Sequence, residues 1–150
     1  MSVMNTSSHQ PCLATSGWNN ITTTQRRIRS KKIVAYQDEE ETTPYTTIGT
    51  DEAKRMIDAG AHVIDVRRPD EWNRGHIEQA ELVTIDGIYS FGKALQDLNL
   101  PADEDVIFVC ASGQRSAMAS EIALLTGLHK VHNLANGMNG WVNRRYPIER

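Results

Sequence analysis

Cys110 closes the apolar run Val106-Ile107-Phe108-Val109 and opens the segment Cys-Ala-Ser-Gly-Gln-Arg-Ser at 110–116. Directly after it, Ala117 to Leu125 reads as a helix. A buried strand that ends in a cysteine, turns through Ser112 and Gly113, and enters a helix past Arg115 is a device for stabilising a thiolate. Loop N–H groups and the helix N-terminus both favour negative charge on the sulfur. Arg115 adds a permanent cation that can hold an anionic substrate. Most cysteines at strand ends are simply small buried hydrophobes. Three features argue for more here. Gly113 opens backbone conformations closed to other residues, an arginine is ill placed beside an inert core thiol, and Ser116 reads as the N-cap of the following helix.

A second segment, Val63 to Ile77, also concentrates chemistry. Val63 to Val66 reads as a buried strand broken by the carboxylate of Asp65, with Arg67 just beyond it. Buried charges need partners, so Asp65 and Arg67 are expected to hold neighbouring loops in place. Pro69 suits the first turn of a short helix, with Asp70 and Glu71 near its positive end. His76 is read as a structural histidine bonded to backbone, because a low-pKa thiolate needs no base. A third segment closes the chain: Val131 to Leu134 reads as a short strand, and Asn136-Gly137-Met138-Asn139-Gly140-Trp141 leads into a last helix before Tyr146-Pro147.

Together these segments resemble the rhodanese (thiosulfate sulfurtransferase) family, above all its single-domain members, over about residues 46–150. The resemblance rests on the Cys-x-x-Gly-x-Arg-Ser loop at 110–116 and on Asp65-x-Arg67 followed by Glu71-Trp72 and Gly75-His76-Ile77. The Asn136 to Trp141 stretch adds a weaker match, with Asn136 where the family has a first glycine, a mild change because Asn tolerates left-handed backbone. Glu78-Gln79, Glu81-Leu82 and Arg144-Arg145 depart from the family pattern on surfaces where substrate or partner choice would be set.

The resemblance implies that Cys110 is the nucleophile and carries a persulfide sulfur taken from thiosulfate or another small anionic sulfur donor. It further implies substrate binding by Arg115 and by the loop residues Ala111, Ser112, Gly113, Gln114 and Ser116, with Asp65 and Arg67 supporting the site. The acceptor would be cyanide, a thioredoxin-like protein or another thiol. Mercaptopyruvate-specific relatives carry an uncharged loop, so Arg115 leans the choice toward thiosulfate or a protein persulfide. No cofactor is expected. A phosphatase or arsenate reductase is the weaker reading, since only Ala111 to Gln114 separate Cys110 from Arg115 and phosphatases of this fold space the pair one residue further. A redox-sensing or partner-docking module stays open as the alternative.

The elements that must position these residues follow from the rest of the pattern. A strand at Tyr45–Ile48 precedes Thr50, read as the N-cap of a helix that stops at Gly60. A weaker strand is expected around Leu82–Ile85, and a helix from Ser90 to Leu98 with Phe91, Ala94, Leu95 and Leu98 on one face. Continuous apolar strands alternating with amphipathic helices imply an α/β fold, a parallel sheet of about five strands covered by helices on both faces. Ligands bind such sheets at the carboxyl ends of the strands, where Cys110 and Arg67 fall.

Composition divides the chain. Met1 to Gln37 holds no Asp or Glu, but it has Arg26, Arg27, Arg29, Lys31 and Lys32 among many Ser and Thr. All 19 acidic groups lie beyond it, so the formal net charge of −3 averages a basic leader and an acidic domain. An acid-free, Ser/Thr-rich, Arg-bearing leader reads as an organelle transit peptide, here for the chloroplast stroma, with cytoplasm or mitochondrion as alternatives. Residues 38–45 read as an acidic linker. No apolar run reaches the roughly 20 residues a membrane span needs. The acidic domain argues against nucleic acid, and neither the four scattered domain histidines nor the two distant cysteines form a metal pattern. A monomer is expected. Cys12 lies in the leader, leaving Cys110 as the only cysteine of the domain and any acceptor thiol external.

Overall fold

A computed structural model describes residues 44–150. The leader (1–37), Cys12 and all but the last two residues of the expected linker (38–45) lie outside the described residues. The elements run β1 (Thr46–Ile48), α1 (Thr50–Asp58), β2 (His62–Asp65), α2 (Pro69–Trp72), β3 (Ala80–Leu82), α3 (Ile88–Asp97), β4 (Asp105–Val109), α4 (Gln114–Leu125), β5 (Lys130–Leu134) and α5 (Gly137–Asn143). The five strands form one parallel sheet in the order β1-β5-β4-β2-β3.

The continuous apolar strands are explained by burial on both faces. Successive side chains of β2 and β4 alternate between two cores. Ile64, Val106 and Phe108 pack with Phe91 and Leu95 of α3 and Ala119, Ile122 and Ala123 of α4. Val63, Ile107 and Val109 pack on the other side with Ala53 and Ile57 of α1 and Met138 and Trp141 of α5. Residues Val106 to Val109 are wholly buried, which makes β4 the rigid centre of the molecule and fixes the point at which Cys110 emerges.

Local details depart from the sequence expectations at four places. The first strand starts at Thr46, one residue later than expected, and Tyr45 packs against the core just before it. Thr50 is the first helical residue of α1, and Gly49 stands at the cap without a side-chain hydrogen bond. The third strand is Ala80–Leu82, not Leu82–Ile85. It ends early because the chain there turns to serve β2's end: Val83 N–H donates to Asp65 O, Ile85 N–H to Val66 O, and Thr84 Oγ1 to Arg67 O. Helix α3 starts at Ile88, with Ser90 Oγ inside its first turn donating to the Asp86 carboxylate at 2.9 Å.

Candidate active site

Cys110 follows β4 at the carboxyl edge of the sheet, between the ends of β2 and β5. The residue is only 1 % exposed, so it lies beneath the loop and not on its surface. Its Sγ accepts a hydrogen bond from Gly113 N–H at 3.0 Å and lies 3.3 Å from Ser116 Oγ. Burial by itself pushes the thiol pKa up. The Ser116 hydroxyl and the N–H groups of Ser116, Ser112 and Gly113 outweigh it, and the net effect holds the pKa below the ordinary thiol value. The arrangement favours a sulfur anion at this position.

Gly113 makes the loop possible. It sits at φ +97°, in the left-handed region, and turns the chain so sharply that α4 begins at Gln114. Ser116 therefore does not cap the helix. It is the third helical residue, and its fully buried hydroxyl lies 2.6 Å from Asn133 Oδ1 and 3.3 Å from the sulfur, so its single proton serves the amide oxygen or turns to a sulfur anion. A side chain at Gly113 would also collide with the Ala135 carbonyl. On the other side, α5 grips the loop: Met138 N–H donates to Cys110 O at 2.8 Å and Asn139 N–H to Ala111 O at 3.1 Å. That approach needs Gly137, whose φ is +52° and whose missing Cβ leaves room for the Cys110 and Ala111 backbone. The left-handed residue here is thus Gly137, whereas Asn136 has φ −105°.

Asp65 and Arg67 form a buried ion pair, 1 % and 6 % exposed. Arg67 Nε and Nη2 donate to the Asp65 carboxylate at 2.8–3.1 Å, and Nη2 also donates to Gly75 O at 2.8 Å. The pair ties β2's end to the turn after α2. Helix α2 carries Glu71, which takes both terminal nitrogens of Arg115 in a two-pronged bond at 2.9 Å each. The Arg115 guanidinium, with the Arg68 N–H, holds the Glu71 carboxyl down to about 2. Arg115 is thereby pinned beside the loop, while Ser112 and Gln114 are exposed and Ala111 is half-buried. His76 stacks on Trp72 with ring centres 3.6 Å apart, and its Nδ1 donates to Trp72 O at 3.1 Å. Two clefts flank the loop. One, of about 490 Å³, is lined by Arg67, Glu71, Ala111 and Met138; the other, of about 750 Å³, by Thr50, Glu52, Ser112 and Asn136.

The structure places Gly113 and Ser116 on the Cys110 sulfur and Arg115 beside the loop, and it adds two partners that sequence reasoning missed. Glu71 was read only as a helix-end charge. Asn133 went unremarked, although a polar residue inside the strand Val131–Leu134 is itself a signal that a buried group needs an acceptor. Among the described residues no cluster of His, Cys, Asp or Glu is suited to a metal ion, and no helix is long and apolar enough to cross a membrane.

The hydroxyl of Ser116 yields a direct pH prediction. It is the leading influence that lowers the Cys110 pKa, so Ser116→Ala removes stabilisation of the thiolate and raises that pKa. The pH midpoint for iodoacetamide alkylation of Cys110 should move upward relative to the wild type. A midpoint that stays put or falls would remove Ser116 from this role.

The fold and the cradled sulfur define an α/β domain with a thiolate-stabilising loop at its sheet edge. The chain belongs to the rhodanese-like domain family, whose pattern it matches over residues 49–144. It is 32 % identical over 112 residues to "Thiosulfate sulfurtransferase 18" of Arabidopsis thaliana, spanning 68 % of this chain and 82 % of that protein. It is 26 % identical over 141 residues to "Rhodanese-like domain-containing protein 15, chloroplastic" from the same plant, covering 88 % of this chain and 72 % of that one. Among solved structures, a rhodanese-related protein of Thermoplasma volcanium superposes with a TM-score of 0.60 at 28 % identity, over 70 % of this chain and 98 % of that chain.

Proposed function

We propose that this domain transfers a sulfane sulfur from thiosulfate or a persulfide donor to a thiol or cyanide, through a persulfide on Cys110. The observation that carries the reading is the Cys110 sulfur held by Gly113 N–H and the Ser116 hydroxyl, a setting that stabilises the attacking anion and its product alike. The naming of an Arabidopsis relative as a thiosulfate sulfurtransferase supports the same class.

The Cys110 thiolate attacks the outer sulfur of the donor. With thiosulfate, the S–S bond breaks, sulfite leaves with the bonding pair, and Cys110 holds a persulfide anion. With R–S–SH, the leaving group is the thiolate RS⁻. An acceptor thiolate then attacks the terminal sulfur and leaves as a persulfide, or cyanide leaves as thiocyanate, and the Cys110 thiolate returns. This is covalent, two-stage catalysis. The loop N–H groups from Ala111 to Ser116, including Gly113 and Gln114, are assigned to the transferred sulfur, with the Ser112 and Ser116 hydroxyls assisting. Arg115 is assigned to the donor, and Asp65 and Arg67 to support of the loop. Cys110 is the one free cysteine among the described residues, and a thioredoxin-like protein or another thiol is assigned as the acceptor beside cyanide. The test is the intact mass after treatment with a sulfur donor, which should rise by one sulfur atom per chain. No gain with any donor would overturn the assignment.

We further propose that the acid-free leader directs the protein to the plastid. Its composition and the chloroplastic naming of a relative that spans most of the chain support this. A fluorescent reporter carrying Met1–Thr43 should enter plastids; a diffuse cytosolic signal would count against import.

A further inference from the structure

We infer that Glu71 is a specificity-determining residue that turns the site away from small dianionic donors and toward persulfides of low charge. The inference rests on the sulfur-transfer reading above and narrows its donor. Three observations lead to it.

First, Arg115, the cation assigned to the donor, is already matched. Both its terminal nitrogens donate to the two oxygens of Glu71 at 2.9 Å, the bidentate geometry in which guanidinium and carboxylate neutralise each other most fully. The Glu71 side chain is 18 % exposed against 38 % for Arg115, so the carboxylate lies on the more protected side and is the harder of the two to displace. It is also anchored from behind by Arg68 N–H, which donates to Glu71 Oε2 at 3.1 Å.

Second, the neighbouring cations are spoken for as well. Arg67 is cancelled by Asp65, Arg68 and Arg74 share Asp70, and Arg144 faces Asp51. Glu52 adds a further carboxylate to the larger cleft. Around Arg115 four arginines face three carboxylates, and the one charge left over is spread on the exposed Arg68 and Arg74 side chains, where solvent screens it; the acidic domain behind the rim repels a dianion.

Third, the pair keeps its directional donors. An arginine has five N–H groups and the Glu71 contact takes one from each terminal nitrogen, leaving Nε–H and two outward N–H groups free of Glu71. The site can thus hydrogen-bond a donor while giving it no net electrostatic reward. Thiosulfate, with two charges placed beside the Glu71 carboxylate, loses most from this arrangement. A thiol persulfide, carrying one charge or none on its sulfurs, loses little. The loading step is R–S–SH plus the Cys110 thiolate giving the Cys110 persulfide plus RS⁻; it needs no outside oxidant.

The experiment compares loading of Cys110 by thiosulfate and by the persulfide of 2-mercaptoethanol, which carries no charge beyond its sulfurs, in the wild type, Glu71→Gln and Asp97→Asn. Glutamine keeps the shape of Glu71 and one acceptor for Arg115 but removes the charge. In Glu71→Gln, kcat/KM for thiosulfate should rise about tenfold, through KM, the scale of one unscreened charge at a partly exposed site. The value for the mercaptoethanol persulfide should stay within about twofold, a shift below 0.5 kcal/mol and small for lost uniform binding. Asp97→Asn removes an equal charge from an exposed side chain at the C-terminal end of α3, away from the carboxyl edge of the sheet, and should leave both donors within the same twofold. Unchanged or weaker use of thiosulfate by Glu71→Gln, a parallel fall with both donors, or an equal gain in Asp97→Asn would overturn the inference. A wild type that gains sulfur from neither donor would instead bring down the sulfur-transfer reading, and the inference with it.

Discussion

The Cys110→Ser protein should gain no sulfur mass from any donor and should lose transfer activity by on the order of a thousandfold or more, the scale seen when a covalent nucleophile is removed. The fold should survive. Cys110 is buried, but a serine oxygen is smaller than sulfur and can still accept from Gly113 N–H, the contact that shapes the loop. Intact mass, steady-state turnover and the urea midpoint together separate loss of chemistry from loss of structure. Turnover within about tenfold of the wild type would mean that Cys110 is not the group that carries sulfur.

Gly137→Ala should damage both stability and transfer. Its φ of +52° is left-handed, which costs a residue with a Cβ about 1 kcal/mol. The new methyl would also stand 2.6 Å from Ala111 C and 2.7 Å from Ala111 O, atoms of backbone that cannot rotate away. Overlap of that kind adds about 1–3 kcal/mol, so a total near 2–4 kcal/mol is expected, with the Cys110 loop displaced from the Met138 and Asn139 N–H groups. Gly60→Ala is the matching control. Its φ is also positive, at +103°, but nothing lies within 4 Å of the added Cβ. It should cost stability and leave sulfur transfer intact. If the two variants lost transfer equally, the close packing of α5 on the loop would not be what holds the sulfur in place.

These predictions draw on two kinds of information. Whatever depends on a short stretch of chain could be read from the sequence. Val106 to Val109 is buried on both faces and so is apolar without interruption, which marks a central parallel strand. Pro69 starts a short helix as its fixed φ dictates. The loop from Cys110 to Arg115 was legible because cysteine, glycine and arginine at that spacing, between a strand and a helix, have few other uses. Even there, the helix start was misjudged. Ser116 is a good cap in isolation, but its hydroxyl does more beside the sulfur, and Gly113 had already turned the chain.

Only the tertiary structure decided who meets whom at the site. Glu71 reaches Arg115 across 44 positions of chain, and Asn133 reaches Ser116 across 17. Both meetings follow from the strand order, which sets β4 between β2 and β5 and so brings Asp65, Cys110 and Asn133 to one edge. No local periodicity encodes that order, because each strand is apolar whichever neighbour it takes. The same holds for charge. Arg67, Arg68 and Arg74 take carboxylates two to four residues away, Asp65 and Asp70, whereas Arg115 takes Glu71 from a distant element. A site that reads as a sink for anions in one dimension is close to neutral in three, because its central cation, Arg115, meets its carboxylate only when α2 docks beside the Cys110 loop.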